Sequence, residues 1–270
     1  MPSYLVTGAG RGLGYAILKV LAAEPSNTVI GLVRNRKATQ ERLAADGVTN
    51  AHILTSDITD EQGLRLAAEE AGKILRDRGL DVLINNAAYV SDLTALKSLQ
   101  DFEQNTEGVI VDTQKSFDIN VLGVLKTVFA FLPLIKAGTL KKVVAISSGM
   151  ADIDLINEIK LANAAPYAVS KAALSTLFAK LNAAYEDQGI LFISLCPGLV
   201  ATAEGEKAYS DDDLARLQGI NAKFEKYAPS FRAQQPTAAA SSVLAAISRS
   251  SLAGGSGGSF LSHNGTKRWM

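Results

Sequence analysis

The sequence predicts an α/β chain built on a doubly wound parallel sheet. Three observations carry this reading. Short runs rich in Val, Ile and Leu alternate with longer helical segments along the chain. The short runs are apolar almost throughout, as strands covered on both faces must be. A Gly-rich turn, Thr7-Gly8-Ala9-Gly10-Arg11-Gly12-Leu13-Gly14, separates the first run from the first helix. Right-handed crossovers then wind the helices over both faces of the sheet.

The elements follow in order. Tyr4–Thr7 reads as a strand and Gly12–Ala23 as a helix. Thr28–Val33 is a strand, followed by a helix near Arg36–Ala45. His52–Thr55 is a strand, and Glu61–Arg78 a long amphipathic helix. Val82–Asn85 is a strand, a helix lies near Thr113–Ile135, and Lys142–Ser147 is the next strand. Gly149–Ala165 reads as a loop, Tyr167–Asp187 as a helix and Leu191–Leu195 as a strand. Gly254-Gly255-Ser256-Gly257-Gly258 suits a tight turn, because Ser259-Phe260-Leu261-Ser262 after it looks like a last short strand. No domain boundary is visible, so residues 1–270 read as one domain. Residues 202–229 are polar, and Asp211-Asp212-Asp213 suits a helix N-terminus. That segment is either a solvated surface helix or a lid over a substrate pocket at the sheet's carboxyl edge.

Bulk properties narrow the function classes. With 270 residues and 47% hydrophobic composition the chain can bury a full core. Its charges balance to zero, which gives no reason to expect nucleic acid or a membrane surface as partner. Cys196 is the single cysteine, so no internal disulfide can form and a cytoplasmic location is expected. It falls in an apolar run and reads as a small buried hydrophobe. His52 and His263 with one cysteine cannot make a zinc dehydrogenase site, so no catalytic metal is expected. The longest apolar stretch, Val121–Ile135, is interrupted by Lys126 and Pro133 and reads as too short to span a bilayer.

Chemistry concentrates in two places. A Gly-rich strand-to-helix turn holds a pyrophosphate on backbone N–H groups and the helix dipole. Tyr167 and Lys171, four apart on a predicted helix, share one face. A phenol beside an ammonium is a proton donor whose pKa the cation lowers. Together they suggest a nucleotide-borne hydride and a proton delivered to one substrate: carbonyl reduction or its reverse. Tyr15 and Lys19 have the same spacing, but they sit where the first helix should pack on the sheet, and read as structural. An NAD-selective site places a carboxylate at the end of the second strand. Here that strand ends in Val33-Arg34, and Arg11 is a second cation inside the Gly turn. Guanidinium groups suit a 2′-phosphate, so NADP(H) is the expected cofactor.

Thr7 to Gly14 match, without a gap, the fingerprint Thr-Gly-x-x-x-Gly-x-Gly of the short-chain dehydrogenase/reductase family, whose fold is of Rossmann type. In its opening the chain resembles carbonyl-reductase-type members and fungal ketoreductases. The resemblance covers essentially the whole chain. It implies that Thr7, Gly8, Gly10, Arg11, Gly12, Leu13, Gly14 and Arg34 face the cofactor. Asp57 and Ile58 correspond to residues contacting the adenine ring; Asp57 also suits a helix N-cap. Asn85-Asn86-Ala87-Ala88 is similar to the family's Asn-Asn-Ala-Gly, with Ala88 in place of Gly. Pro197-Gly198-Leu199-Val200-Ala201-Thr202 resembles the segment beside the nicotinamide, where the backbone of Val200 meets the carboxamide and Thr202 bonds the cofactor.

The same resemblance implies a catalytic set of Asn120, Ser148, Tyr167 and Lys171. Ser148 is the expected catalytic serine, with Ser147 its structural partner. Asn120 is expected to bend a helix and hold a water that relays protons to Lys171. Lys171 also holds the nicotinamide ribose, and Ser148 binds the carbonyl oxygen. The implied substrate is a small ketone, aldehyde or alcohol, and a polycyclic ketone fits the same chemistry. A non-catalytic NADP-binding regulator is the alternative, and relatives of that kind have typically lost the Tyr/Lys pair. A homodimer or homotetramer through the helices near Thr113–Ile135 and Tyr167–Asp187 suits the family, although core packing would demand the same apolar faces.

Overall fold

In the computed structural model residues 1–76, 78–202, 209–229 and 232–269 are described. Seven strands form one parallel sheet: Ser3–Thr7 (β1), Thr28–Val33 (β2), His52–Thr55 (β3), Val82–Asn85 (β4), Lys142–Ile146 (β5), Leu191–Cys196 (β6) and Phe260–Ser262 (β7). Their spatial order is β3-β2-β1-β4-β5-β6-β7. The order reverses between β1 and β4, so a crevice opens beyond their carboxyl ends. Every residue of β4 and β6 is buried, which is why their sequences carry no polar alternation.

The helices divide between the two faces. Gly12–Ala22 (α1) and Pro236–Arg249 (α9) pack on one, with Ile17, Leu18, Val243 and Ile247 in its core. Glu61–Leu75 (α3), Val124–Ala137 (α5) and Ala165–Tyr185 (α7) pack on the other, around Phe131, Phe178 and Phe192. Arg36–Ala45 (α2) lies against β3. Asp81 ties loops below the sheet. Its carboxylate accepts bonds from the N–H groups of Ser3 (2.9 Å), Thr139 (2.8 Å) and Leu140 (3.0 Å).

Several elements depart from the sequence reading. The helix expected at Glu61–Arg78 ends at Leu75, because Arg76 turns left-handed at φ 50°. The helix expected near Thr113–Ile135 begins earlier, as Thr106–Phe117 (α4), and passes through a π-turn at Asp118–Gly123 into α5. The continuous run Thr106–Ala137 has 32 residues, long and apolar enough to cross a bilayer by length and composition, so the shortness argued from Val121–Ile135 does not hold. In this fold Val124, Val128, Phe131 and Ile135 are spent on the core. The expected loop Gly149–Ala165 contains Ile153–Ile159 (α6), capped where Asp152 accepts from Leu155 N at 2.8 Å. Two short turns of helix give too few residues for a period to show. Asp211–Tyr227 (α8) forms as the acidic start suggests, with Ser210 as its N-cap. Pro236–Arg249 has no counterpart in the sequence reading; small residues, Ala239, Ala240 and Ala246, make up much of its buried face.

Candidate active site

The Gly turn is built around the crevice. Gly8 adopts φ +67°, and a Cβ there would stand 2.8 Å from Ala87 Cα. A Cβ on Gly14 would meet the Asn86 side-chain nitrogen at 2.3 Å and the Gly8 carbonyl oxygen at 2.4 Å. Only hydrogen at these positions lets the turn after β1 touch the turn after β4. Thr7 fastens them: its Oγ1 accepts the backbone N–H groups of Asn86 and Ala87, each at 3.0 Å. Asn86 Nδ2 returns a bond to Thr7 O at 3.1 Å. The Thr7 hydroxyl oxygen is therefore committed within the protein.

Other residues of the expected cofactor set lie along this crevice. Arg11 and Arg34 are exposed, and Gly12 lies beside Thr202, whose methyl is 3.5 Å from where a Gly12 Cβ would be. Gly10 approaches Thr39 on α2. The Leu13 side chain belongs to the core, so only its main chain can face a ligand. Asp57 Oδ1 accepts from Thr59 N (2.9 Å) and Thr59 Oγ1 (2.7 Å). Burial works against its charge, but the Thr59 bonds and the Arg34 guanidinium outweigh it and hold the carboxyl below its ordinary pKa. Asp60, not Asp57, caps α3. The Ile58 side chain is buried and packs against Gly123 of the π-turn. Ala88 is exposed, and Ala87 is the residue that meets Gly8.

Beyond β6 the chain turns at Gly198, φ +77°, where a Cβ would stand 3.0 Å from the His263 ring. The next residues bridge to Gln234: Gln234 N donates to Leu199 O and Ala201 N to Gln234 O, each at 2.9 Å. Peptide groups alternate in direction along an extended strand, so those of Val200 face the opposite side.

The expected catalytic side chains come together at the ends of β5 and α7. Tyr167 and Lys171 share a face of α7, with Lys171 Nζ 5.7 Å from the Tyr167 ring centre. Lys171 Nζ donates to Ile146 O at 2.7 Å, anchoring it to β5 and leaving two further N–H groups on the ammonium. The two serines diverge. Ser147 is 2% exposed and its hydroxyl pairs with that of Ser175 at 2.9 Å, inside the α7 packing. The Ser148 side chain comes close to the Tyr167 hydroxyl, where it favours the phenolate, and its Oγ accepts from Met150 N at 3.2 Å. Burial pushes the Tyr167 pKa up to about 12, with Ser148 pulling the other way. Burial also brings Lys171 down to about 8, against the opposing pull of Cys196. The lowering of the phenol expected from Lys171 is not what the site shows: burial sets the direction, and Cys196 adds to it.

Asn120 is fully buried in the π-turn, so the expected distortion of the helix is present. Its Nδ2 donates to Tyr89 O and to Ser170 Oγ, both at 2.9 Å, and its Oδ1 accepts from Tyr89 N at 2.7 Å. Both amide N–H groups are used, and the link to α7 runs through Ser170 rather than to Lys171. Tyr89 and Ser170 were invisible to motif reading; Ser170 next to Lys171 was their only trace. The second Tyr/Lys pair has a different task. The Tyr15 hydroxyl and Lys19 Nζ both donate to Asp46 Oδ2, at 2.8 and 2.7 Å, which ties α1 to the end of α2.

Comparison with known proteins agrees with this geometry. The short chain dehydrogenase family model matches residues 3–213. Over the full length of both chains, this one is 40% identical to the short chain dehydrogenase virK of Hypocrea virens and 43% identical to the short-chain dehydrogenase/reductase AacuF of Aspergillus aculeatus. An NADPH-bound carbonyl reductase from chicken fatty liver superposes with a TM-score of 0.76 at 26% identity, covering 98% of each chain. The chain belongs to the short-chain dehydrogenase/reductase family of oxidoreductases.

Proposed function

We propose that this chain is an NADPH-dependent reductase of ketones or aldehydes, reversible toward the alcohol, with Tyr167 as general acid and base. One observation carries the reading: Tyr167 and Lys171 share a face of α7, with Ser148, just after β5, close to the phenol. When bound, the nicotinamide supplies or accepts the hydride. Tyr167, held protonated by its surroundings, gives its proton to the carbonyl oxygen as negative charge develops there. Ser148 donates a hydrogen bond to the same oxygen. The two free N–H groups of Lys171 suit the hydroxyls of a ribose. We place the proton relay at the main chain of the π-turn, since the Asn120 amide is already engaged.

NADP(H) is the cofactor of this proposal because Arg11 and Arg34 stand exposed at the crevice and no carboxylate ends β2. The carbonyl reductase from chicken fatty liver, which binds NADPH, supports the choice. The Gly turn, the Val200 main chain and Thr202 would hold the rest of the dinucleotide. Residues 202–229 act as a lid in this reading, although 203–208 lie outside the described residues. Arg216 of α8 grips Asp101 through two bonds of 2.8 and 2.9 Å, and Lys223 Nζ donates to Lys160 O at 2.6 Å. The helix is thereby strapped from α6 to the Leu99–Phe102 turn. Ile110, Val111, Phe129 and Val169 are exposed on α4, α5 and α7, which supports a homodimer or homotetramer. The single buried cysteine suits the cytoplasm.

The test is NADPH consumption with a panel of ketones, aldehydes and quinones. Wild-type protein should consume NADPH and Tyr167→Phe should not, while binding NADPH with similar affinity. Turnover retained in Tyr167→Phe would refute the assignment.

A further inference from the structure

Cys196 ends β6 directly behind the proposed catalytic side chains and is 4% exposed. Its sulfur accepts two backbone N–H groups, from Gly149 at 3.1 Å and from Gly198 at 3.4 Å. Gly149 follows Ser148, and Gly198 begins the turn that leads to Val200 and Thr202. One atom thus joins the turn carrying the serine to the turn expected beside the nicotinamide. A second contact holds the same place from another side. A Cβ on Gly149 would lie 2.9 Å from Trp269 Cβ and 3.1 Å from its Cγ. Trp269 is buried, stacks on Phe260 with ring centres 4.3 Å apart, and packs with Leu155 and Cys196. Gly149 is therefore gripped between a sulfur and an indole, and has no room to swing Ser148 aside.

We propose that Cys196 is a positioning residue for the reaction, its sulfur setting the Ser148 hydroxyl in register with the nicotinamide turn through Gly149 and Gly198. The proposal rests on the reductase reading above. A thiol suits the task physically. It is apolar enough to share a cluster with Leu155 and Trp269, and still accepts weak hydrogen bonds over a long reach. Alanine or valine would leave both N–H groups without this partner. The thiol itself forms no bond to substrate.

Cys196→Ala, Cys196→Val and Cys196→Ser separate the acceptor role from packing. Alanine and valine bracket the thiol in size and accept nothing. Serine is close to alanine in size and keeps an acceptor. The expected result is a kcat about tenfold or more below wild type in Cys196→Ala and Cys196→Val, with the KM for NADPH nearly unchanged and substantial recovery in Cys196→Ser. Exchange of the Gly149 and Gly198 amide hydrogens should accelerate in Cys196→Ala and stay close to wild type in Cys196→Ser. Thermal melting and the emission of Trp269, the only tryptophan, check that each variant is folded with its indole in place. Equal kcat in Cys196→Ser and Cys196→Ala, or a better kcat in Cys196→Val, would overturn the proposal, since volume alone would then account for the residue. A wild type without turnover on any carbonyl would instead overturn the reductase reading. The exchange rates then decide the tie by themselves: protection kept by serine and lost in alanine upholds it, and equal protection overturns it.

Discussion

Replacing Thr7 by valine should loosen the crevice while leaving the shape of the side chain intact. Thr7 is 2% exposed, and its Oγ1 accepts the N–H groups of Asn86 and Ala87 at 3.0 Å each. Valine keeps the branched Cβ and removes the acceptor. Each stranded N–H costs about 1–3 kcal/mol when buried. Asn86 and Ala87 are only half-buried, so water will reach part of that loss. The expected destabilisation is roughly 2–4 kcal/mol, a fall in Tm on the order of 5–15 °C for a chain of this size. The same two bonds hold Ala87 against Gly8, so NADPH binding should weaken by about tenfold, worth about 1.4 kcal/mol. Urea denaturation gives the first quantity and fluorescence titration with NADPH the second. Thr7→Ser, which keeps the hydroxyl, is the control and should lose far less of both. Equal stability and equal affinity in Thr7→Val and Thr7→Ser would refute the reasoning, because the turn would then be held by something other than this oxygen.

The double variant Arg11→Ala, Arg34→Ala should lose most of its preference for NADPH over NADH, read as the ratio of kcat/KM values. An unchanged ratio would show that the 2′-phosphate is met elsewhere. Asp81→Asn should destabilise the fold at neutral pH, since one oxygen that accepts backbone N–H groups becomes a donor. Burial opposes the charge of Asp81, but its bonds to Leu140, Ser3 and Thr139 hold the folded pKa below the usual carboxylate value. The stability it adds is therefore fully present above the unfolded pKa of about 4 and fades as pH falls through the lower folded value. Urea midpoints from pH 7 downward should show a shallower acid decline in Asp81→Asn, and parallel curves would contradict this account. Arg216→Ala should free α8 from the Leu99–Phe102 turn, so that trypsin cuts at Lys223 and Lys226 sooner than in wild type.

Much of the fold was legible because a parallel sheet demands apolar strands. Six strands lie within a residue or two of the positions read from their Val, Ile and Leu runs, and β7 was betrayed by the turn before it. Helices were harder where the buried face is made of small residues. Pro236–Arg249 buries Ala239 and Ala240 against α1, and alanine is silent in a pattern of large hydrophobes. The π-turn was legible only as an oddity, an Asn amid Ile, Val and Leu. At the site, Tyr167 and Lys171 announced themselves through helical spacing. Ser148 was preferred to Ser147 through the family's pattern alone, and the burial of the Ser147 hydroxyl against Ser175 carried no signal in the sequence. Cys196 and Trp269 carry no motif. What they do depends on Gly149, which only the fold brings to them.

The contact between Trp269 and Gly149 also sets a timetable. A chain folds from its N-terminal end while it is being made. The Gly turn, the end of β2 and the Asn86–Ala87 turn can assemble early, from segments that all precede β5. The wall behind Ser148 waits for Trp269, far along the chain, and its loop is long and slow to close. The pyrophosphate-holding turns of the proposed crevice are thus in place before the proposed catalytic corner. Cofactor that binds the half-finished protein would favour the folded form by mass action while Trp269 finds its place.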